Sequence, residues 1–588
     1  MTQNLHHILL GCGFEYTTAS RMPKSSILYS RNIKKGYYCK RYGTTAGEFP
    51  VILILRDDPF IELPIAYVQE IPCSLKGKLI PHISHDSTLC YVAQMEADWD
   101  SNDLESTYKV IDDQIQITLN NAVISVENGD PTDTEMEGEF AAYWKPEDDL
   151  YLLSPLRHRK SMSTYLFESE GKYRDSRKEY ITTESTQDKD NVLLSSWLNQ
   201  RNINFESLQN TPITTHHITV KPTRLAGVNW PPNCLQDVLA WLKEVDHNAR
   251  NHVIRSLITN NIKRHVLLLD VENQDIVAIY VELNSNALAL KRHKKLNLSK
   301  TSIHHLATIL GGKRSNIDFK RISVIKADQD TLLSRNLNRT EIGNLADKRV
   351  ALIGCGTIGS YLAGLLLRSG AGCGNKYFHL YDRDDYRPHN FGRHALSTKH
   401  FGENKATSLA ESISDSIHTA RKIEGYPINF PIKSTKLSEY DIVIDATGRP
   451  PVSKRLAFIV RTLPTNSRPT LIHAFNDGNG RSSKVFVDNG HCCYGCMISD
   501  VSTHRDGIDL RFEGIDQTAE KHISCGSTYT PYDAAVSHIT AALTQEAILN
   551  TLEPNMLWNY SEHMLDGSRT RKPRKIKQQK GCPICYGR

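Results

Sequence analysis

Hydrophobic and polar positions divide the chain into stretches of different rhythm. Up to about residue 165, a short helix-like segment precedes GEFPVILILRDDPFIELPIAYVQEIP, whose apolar residues cluster and break at Pro and Asp-Asp as antiparallel strands do. That predicts a small α+β domain. Residues 168–190 are polar, charged and aperiodic and read as a loop or linker. Beyond it, HVLLLDVENQDIVAIYVELN gives two apolar strands around Asn273-Gln274-Asp275, and CLQDVLAWLKEV has helical spacing at Leu235, Val238, Leu239 and Leu242. From about residue 335, strand and helix alternate, which predicts a parallel, doubly wound α/β sheet. The expected layout is 1–165, a middle α/β linker domain over 166–334, and 335–588.

A length of 588 residues suits roughly three or four domains. No apolar stretch approaches the ~20 residues of a membrane span, so no membrane association is expected. The start MTQNLHHILLGCGFEYTT lacks a basic region, apolar core and small-residue cleavage site, and a cytoplasmic location is the expectation. The 71 basic and 66 acidic residues leave a net charge of +5, too balanced to make nucleic acid the expected partner. Thirteen cysteines, six of them after residue 490, suit a reducing compartment with a few working thiols better than a disulfide framework.

Chemistry concentrates in the C-terminal stretch. A predicted buried strand over 349–353 runs into Gly354-Cys355-Gly356-Thr357-Ile358-Gly359, with a helical apolar pattern after it. Gly354, Gly356 and Gly359 let the backbone approach a phosphate at the positive end of that helix. The next predicted strand ends at Asp382 and continues as D-x-D-x5-N-x2-R-x11-K through Asp384, Asn390, Arg393 and Lys405. A nicotinamide site needs only the first acid. An Arg and a Lys that neutralise a triphosphate, with an acid to hold Mg²⁺, suit attack on an α-phosphate.

These motifs resemble the ThiF/MoeB and ubiquitin-activating enzyme family. The resemblance implies a Rossmann-like adenylation domain that takes ATP, with Asp382 on the ribose and Asn390, Arg393 and Lys405 on the phosphates. The family usually carries an Asp-Asn pair after the later strand, the Asp binding Mg²⁺. Here the stretch reads Asp445-Ala446-Thr447-Gly448-Arg449, with Gly448 at the expected Asp position, so Asp445 or Asp384 is the candidate metal ligand.

Cys493-x2-Cys496 and Cys582-x2-Cys585 are two hooks that together make a closed four-thiolate Zn²⁺ site of structural type. Cys525 stands outside them, ahead of a helix whose Val536, Ile539, Leu543 and Ala547 share a face. With Lys521 and His522 nearby to favour its thiolate, it can attack an acyl adenylate. By resemblance it is the catalytic cysteine of the activating enzymes' crossover loop.

With an activating module in place, the N-terminal stretch resembles a ubiquitin-conjugating enzyme. Pro81-His82-Ile83 precedes Thr88-Leu89-Cys90-Tyr91, which puts Cys90 in the active position, with His82 and His85 as possible helpers. The pattern departs from the family in lacking the Asn and Gly that usually precede the Cys. The combination resembles the activating and conjugating fusions of bacterial CBASS anti-phage operons. That implies adenylation of a protein modifier's free C-terminal carboxylate, a thioester relay from Cys525 to Cys90, and ligation to a target protein amine. The modifier implied is a cGAS-like nucleotidyltransferase. A homodimer, with Arg335 or Arg339 reaching the neighbouring site, is implied by resemblance only. The alternatives are a ThiF/MoeB-like adenylyltransferase for sulfur transfer, with Cys90 idle, and a nucleotide-switched binding protein.

Overall fold

The apolar run of the first domain forms strand Gly47–Ile54, whose side chains alternate between two buried faces. It pairs antiparallel with Tyr37–Thr44 and Ile65–Val68, and the latter with Thr88–Leu89, in a five-stranded meander edged by Glu15–Thr17. Val51 and Leu53 face one core, while Ile52 and Ile54 join Tyr37 and Tyr67 on the other side. Helix Leu104–Asn128 covers the first face with Tyr108, Ile111, Ile115, Leu119 and Ala122, at the three- and four-residue spacing that keeps one stripe inward. Each of the buried Ile and Leu side chains contributes about 1.5–3 kcal/mol of apolar transfer.

The computed structural model describes residues 2–18, 21, 36–128, 140–156, 161–169, 177–185, 192–204, 208, 212–221, 225–258, 262–284, 300–335, 343–515, 521–524 and 527–585. The chain forms two units, 1–187 with 206–326, and 188–205 with 327–588.

Within the first unit, seven strands close a barrel: Asp148–Leu152, Met162–Ser169, Arg177–Glu184, Ile213–Val220, Arg264–Val271, Val277–Leu283 and Asn316–Lys326. The expected boundary near 165 therefore falls inside a barrel strand. The expected hairpin is present, with Arg264 opposite Glu282 and Leu269 opposite Val277, and Asn273 takes the positive φ of its turn. The expected helix is Leu235–Val245. The stretch read as a linker is corrected in part, because Arg177–Glu184 is a strand between two neighbours. Its Thr182 is buried, and the hydroxyls of Thr164, Thr182 and Thr215 satisfy one another at 2.7 and 2.6 Å. Tyr180 and Ile181 are the strand's only large apolar residues, and the buried Thr182 and Thr183 beside them bond to Thr164 and Ser154, so the apolar run that marks a strand is cut short. One continuous core runs from the meander through helices Leu235–Val245 and His247–Ile258 to strands Arg264–Val271 and Val277–Leu283.

The second unit is a doubly wound α/β sheet. Strands Ile423–Tyr426, Phe378–Tyr381, Val350–Ile353, Ile442–Asp445 and Thr470–Asp477 lie parallel in that order, extended antiparallel by Ser482–Asp488 and Tyr560–Met564. Strand order reverses on either side of Val350–Ile353, where ligands bind beyond the carboxyl ends of such strands. Helix Val192–Gln200 belongs to this unit too: the Trp197 ring meets His418 edge-on, and Gln200 donates to the Ser414 carbonyl at 3.1 Å. Helix Ala534–Thr551 is where expected, but its buried stripe runs through Val536, Ser537, Thr540, Ala541, Thr544 and Ala547. Thr540 reaches Asn476 at 2.6 Å and Thr544 bonds back to the Thr540 carbonyl, which lets hydroxyls occupy core positions. No described helix is long and apolar enough to cross a membrane.

Candidate functional site

Gly354 leaves strand Val350–Ile353 at φ +90°, and a Cβ there would lie 3.1 Å from the backbone of Ala446 and Thr447. A Cβ on Gly359 would stand 2.0 Å from the Gly354 carbonyl oxygen. Both positions need glycine for helix Thr357–Arg368 to fold back against the turn. Gly356 caps that helix, has open space at its Cβ and lines a cleft of about 400 Å³, at the helix end that favours an anion.

The cleft has Ile353, Phe430 and Val452 as an apolar wall and Asp382, Asp384, Lys405, Asn429 and Arg449 as a polar rim. Asp382 accepts from the Cys355 N–H at 2.8 Å and the Asp384 N–H at 2.9 Å. Burial pushes its carboxyl above the usual range, opposed by these bonds and by Lys405. Asn404 caps helix Lys405–Ser414 and donates to the carbonyls of Asp382 and Asp384 at 2.9 and 3.2 Å. That fixes Lys405, whose nearly buried side chain brings its ammonium 3.7 Å from the exposed Asp384 carboxylate. His394 donates from Nε2 to the Cys355 carbonyl at 2.8 Å and accepts from Leu396 N–H at Nδ1, pinning the glycine turn from below.

Gly354, Gly356, Asp382, Asp384 and Lys405 thus line one cleft. Asn390 sits in the short helix Pro388–Arg393 and accepts from the Arg387 N–H at 3.0 Å. Arg393, at the end of that helix, donates to the Thr530 carbonyl at 3.0 Å and stacks 4.4 Å over the Tyr532 ring. Asp445 lies beneath the cleft, buried, accepting from Thr447, Ser453 and His473. Burial would raise its pKa, but His473 and these donors hold it below the usual carboxylate range. Its oxygens are already engaged by the fold, whereas Asp384 is exposed at the rim.

A second cleft, of about 510 Å³, shares Gly356, Ala446 and Thr447 with the first. Its far wall is the turn Asn476-Asp477-Gly478-Asn479-Gly480 with Phe512, Thr530 and Tyr532. A Cβ on Gly478 would meet the Phe512 ring at 2.7 Å, and one on Gly480 the Tyr532 Cβ at 2.6 Å. Sequence reading passed over this turn, although its N-D-G-N-G composition signals successive positive φ angles. Lys484, fully buried, anchors it through Asp477 at 2.6 Å and Asp509 at 2.8 Å, and Arg511 bridges Asp509 to Glu562. Burial alone would raise the Asp509 pKa; Arg511 and Lys484 hold it well below the usual range. Thr530 and Tyr532 follow strands Lys521–Ser524 and Ser527–Tyr529, which pair antiparallel. Cys525 lies outside the described residues, between those two strands.

The four hook cysteines come together as expected. Cys493 and Cys496 stand 3.9 Å apart, Cys493 and Cys582 3.5 Å, Cys496 and Cys585 3.3 Å, and all four are buried. Four thiolates about 2.3 Å from a tetrahedral ion sit about 3.8 Å from one another, so the donor set fits one metal ion. Gly495 is required between the first pair, because a Cβ would stand 2.8 Å from the Cys582 sulfur. Neighbouring Cys492 accepts instead from Asn559, and burial pushes its thiol up to about 12.

In the first unit, Cys90 follows strand Thr88–Leu89 and is exposed. Its N–H donates to the His82 carbonyl at 2.8 Å, closing a turn in which His82 and Ser87 take positive φ. Asp86 accepts from Ser84 and from the Thr88 N–H, and these bonds, outweighing burial, lower its pKa. The turn therefore presents the thiol at a fixed position. His85 is exposed in the same turn.

Glycine turn, acid, lysine and cleft define an ATP-dependent adenylating domain, joined to a domain that presents an exposed cysteine on a turn. Comparison agrees: residues 12–153 match the Prokaryotic E2 family B and residues 329–584 the ThiF family. Over 585 residues, all of both chains, this chain is 57% identical to an "ATP-dependent ubiquitin transferase-like protein Cap2" of Vibrio cholerae. A protein of the same name from Escherichia coli is 51% identical over 99% of this chain and 98% of its own. One from Pseudomonas aeruginosa is 24% identical over 84% and 83%. The chain belongs to this family of ATP-dependent ubiquitin transferase-like enzymes.

Proposed function

We propose that the enzyme activates the C-terminal carboxylate of a protein modifier and passes it through two thioesters to an amine. ATP lies in the first cleft, its ribose on Asp382 and its phosphates on the glycine turn and Lys405, with Asn390 and Arg393 alongside. The modifier's tail enters the second cleft. Its carboxylate attacks the α-phosphate, forming the acyl adenylate and releasing pyrophosphate. The Cys525 thiolate displaces AMP, the Cys90 thiolate takes the acyl group from Cys525, and an amine displaces Cys90 to form the amide. Splitting the condensation this way keeps the acyl carbon activated until the amine arrives.

One observation carries the reading: Gly356, Ala446 and Thr447 wall both clefts, so a tail in one meets the phosphates in the other. Mg²⁺, held at Asp384 rather than at the engaged Asp445, would supply charge neutralisation of the phosphates. Zn²⁺ in the four-cysteine site would tie residues 582–585 to 493–496 as a structural clamp. Following the resemblance, the modifier is a cGAS-like nucleotidyltransferase in bacterial anti-phage defence, and the enzyme works as a cytoplasmic homodimer.

The test is adenylation by exchange of labelled pyrophosphate into ATP with the co-encoded nucleotidyltransferase present. Exchange that needs its C-terminal carboxylate supports the reading; exchange with a small sulfur-carrier protein instead favours sulfur transfer.

A further inference from the structure

A cavity of about 290 Å³ lies against the turn that presents Cys90. Ile83, Ser84, His85 and Ser87 of that turn form one side. The other side is Lys145, Asn233, Arg321 and the Trp230-Pro231 step. The walls are tied together: Leu79 N–H donates to the Val228 carbonyl at 2.7 Å, Gly227 N–H to the Leu79 carbonyl at 2.8 Å, and Lys78 bridges Asn229. Behind them the Trp230 ring packs on Phe140, Trp144 and Trp241.

The charge in this cavity is one-sided. Lys78, Lys145 and Arg321 line it together with His85, and among the described residues no acid does. Arg321 is only 8% exposed. It donates from Nε to the Lys145 carbonyl at 3.0 Å, and from Nη1 to the Pro232 carbonyl at 2.7 Å and Asn233 Oδ1 at 3.0 Å. Those acceptors are neutral, and among the described residues no carboxylate pairs with the guanidinium. Asp86 is taken by Ser84 and Thr88, and Asp148 by Lys320. A buried guanidinium held only by neutral groups keeps its appetite for an anion, and its fork suits a carboxylate. The adjoining Ile71, Leu79, Ile80 and Tyr143 are apolar, which fits a side chain on a peptide better than a bare ion.

We propose that this cavity receives an Asp or Glu side chain of the acceptor polypeptide and so selects which amine meets Cys90. The inference rests on the reading of Cys90 as the acyl-bearing thiol. Three cations beside a thioester repel an isolated lysine ammonium; an acid in the acceptor segment offsets that repulsion. The same field lowers the pKa of the arriving amine, enlarging its nucleophilic neutral fraction.

The experiment uses the full-length protein and a set of fluorescent peptides with one Lys, in which a Glu or the matching Gln is moved one to four residues to either side. Discharge of the preformed Cys90 thioester and, separately, ATP-free binding to Cys90→Ala protein by anisotropy are measured. At one position at least, the Glu peptide should discharge and bind about tenfold better than its Gln twin, as one charge-assisted contact provides. The preference should fall below about twofold in Lys78→Gln and Arg321→Gln proteins and weaken with salt. Lys78→Gln and Lys145→Gln, at exposed positions, carry the test if Arg321→Gln does not fold. Equal behaviour of Glu and Gln peptides at every position, or a preference that survives these substitutions, overturns the proposal. If Cys90 never loads, the thioester reading fails by itself, and the binding arm still decides the pocket.

Discussion

The guanidinium of Arg393 stacks on the Tyr532 ring at 4.4 Å while donating to the carbonyl of Thr530, and the Tyr532 hydroxyl lies 3.2 Å from Thr357 Oγ1 at the start of the glycine-turn helix. One phosphate-binding candidate is thereby tied to the segment that follows Cys525. Arg393→Ala should remove both the stacking and the anchor and lower pyrophosphate exchange by about 100-fold, a loss of about 2.7 kcal/mol in transition-state binding. Tyr532→Phe should change exchange by less than about threefold, because the stacking face remains. Equal losses in the two variants would remove the stacking from the account.

Gly359→Ala should abolish ATP binding, because its Cβ would overlap the Gly354 carbonyl oxygen. Gly480→Ala should keep ATP affinity within about threefold yet lose adenylation, since only the second cleft is disturbed, at a stability cost of about 1–3 kcal/mol from the positive φ and the Tyr532 contact. Titration of a fluorescent ATP analogue, with pyrophosphate exchange on the same protein, separates the two.

Acid should loosen both units. Burial pushes His394 and His216 down to about 4 from the ordinary 6.5, so the unfolded chain takes up these protons first. The stability they carry is complete above pH 6.5 and drains as pH falls from there toward 4. At pH 5 each costs on the order of 2 kcal/mol relative to pH 7.5. Urea midpoints at pH 7.5 and 5 should differ, and His394→Gln, which retains an amide donor for the Cys355 carbonyl, should shrink the difference for the second unit. A midpoint that stays flat across this window would contradict the buried neutral imidazoles.

Each chain should carry one zinc ion by elemental analysis. Cys582→Ser, or a strong chelator at moderate temperature, should lower the melting temperature of the second unit by about 5 °C or more while sparing the first. Unchanged melting in a metal-free sample would make the cluster an ordinary buried thiol core.

Much of the first and last domains was legible because their signals are local. The run ending at Ile353, the glycines after it and the two cysteine hooks each declare a backbone need or a ligand set within a few residues. The barrel strand Arg177–Glu184 was not legible, since Thr182 satisfies its hydroxyl against Thr164, 18 residues earlier in the chain, and only closure of the barrel makes that site interior. The setting of Asp445 was hidden for a related reason. It ends the strand Ile442–Asp445, and His473, 28 residues on, engages its carboxylate. The cavity beside Cys90 depends on Arg321, brought to residues 145, 232 and 233 by the fold, and no spacing along the chain announces it.

The relay from Cys525 to Cys90 is read out by a thioester trap. Wild-type, Cys525→Ala and Cys90→Ala proteins, each with the co-encoded modifier, ATP and Mg²⁺, are compared on non-reducing and reducing gels, with adduct sites assigned by mass. A thiol-labile adduct should form on Cys90 in wild type, be lost in Cys525→Ala, and accumulate on Cys525 in Cys90→Ala. An adduct that still forms on Cys90 without Cys525, or target conjugates that still form without Cys90, would contradict the relay.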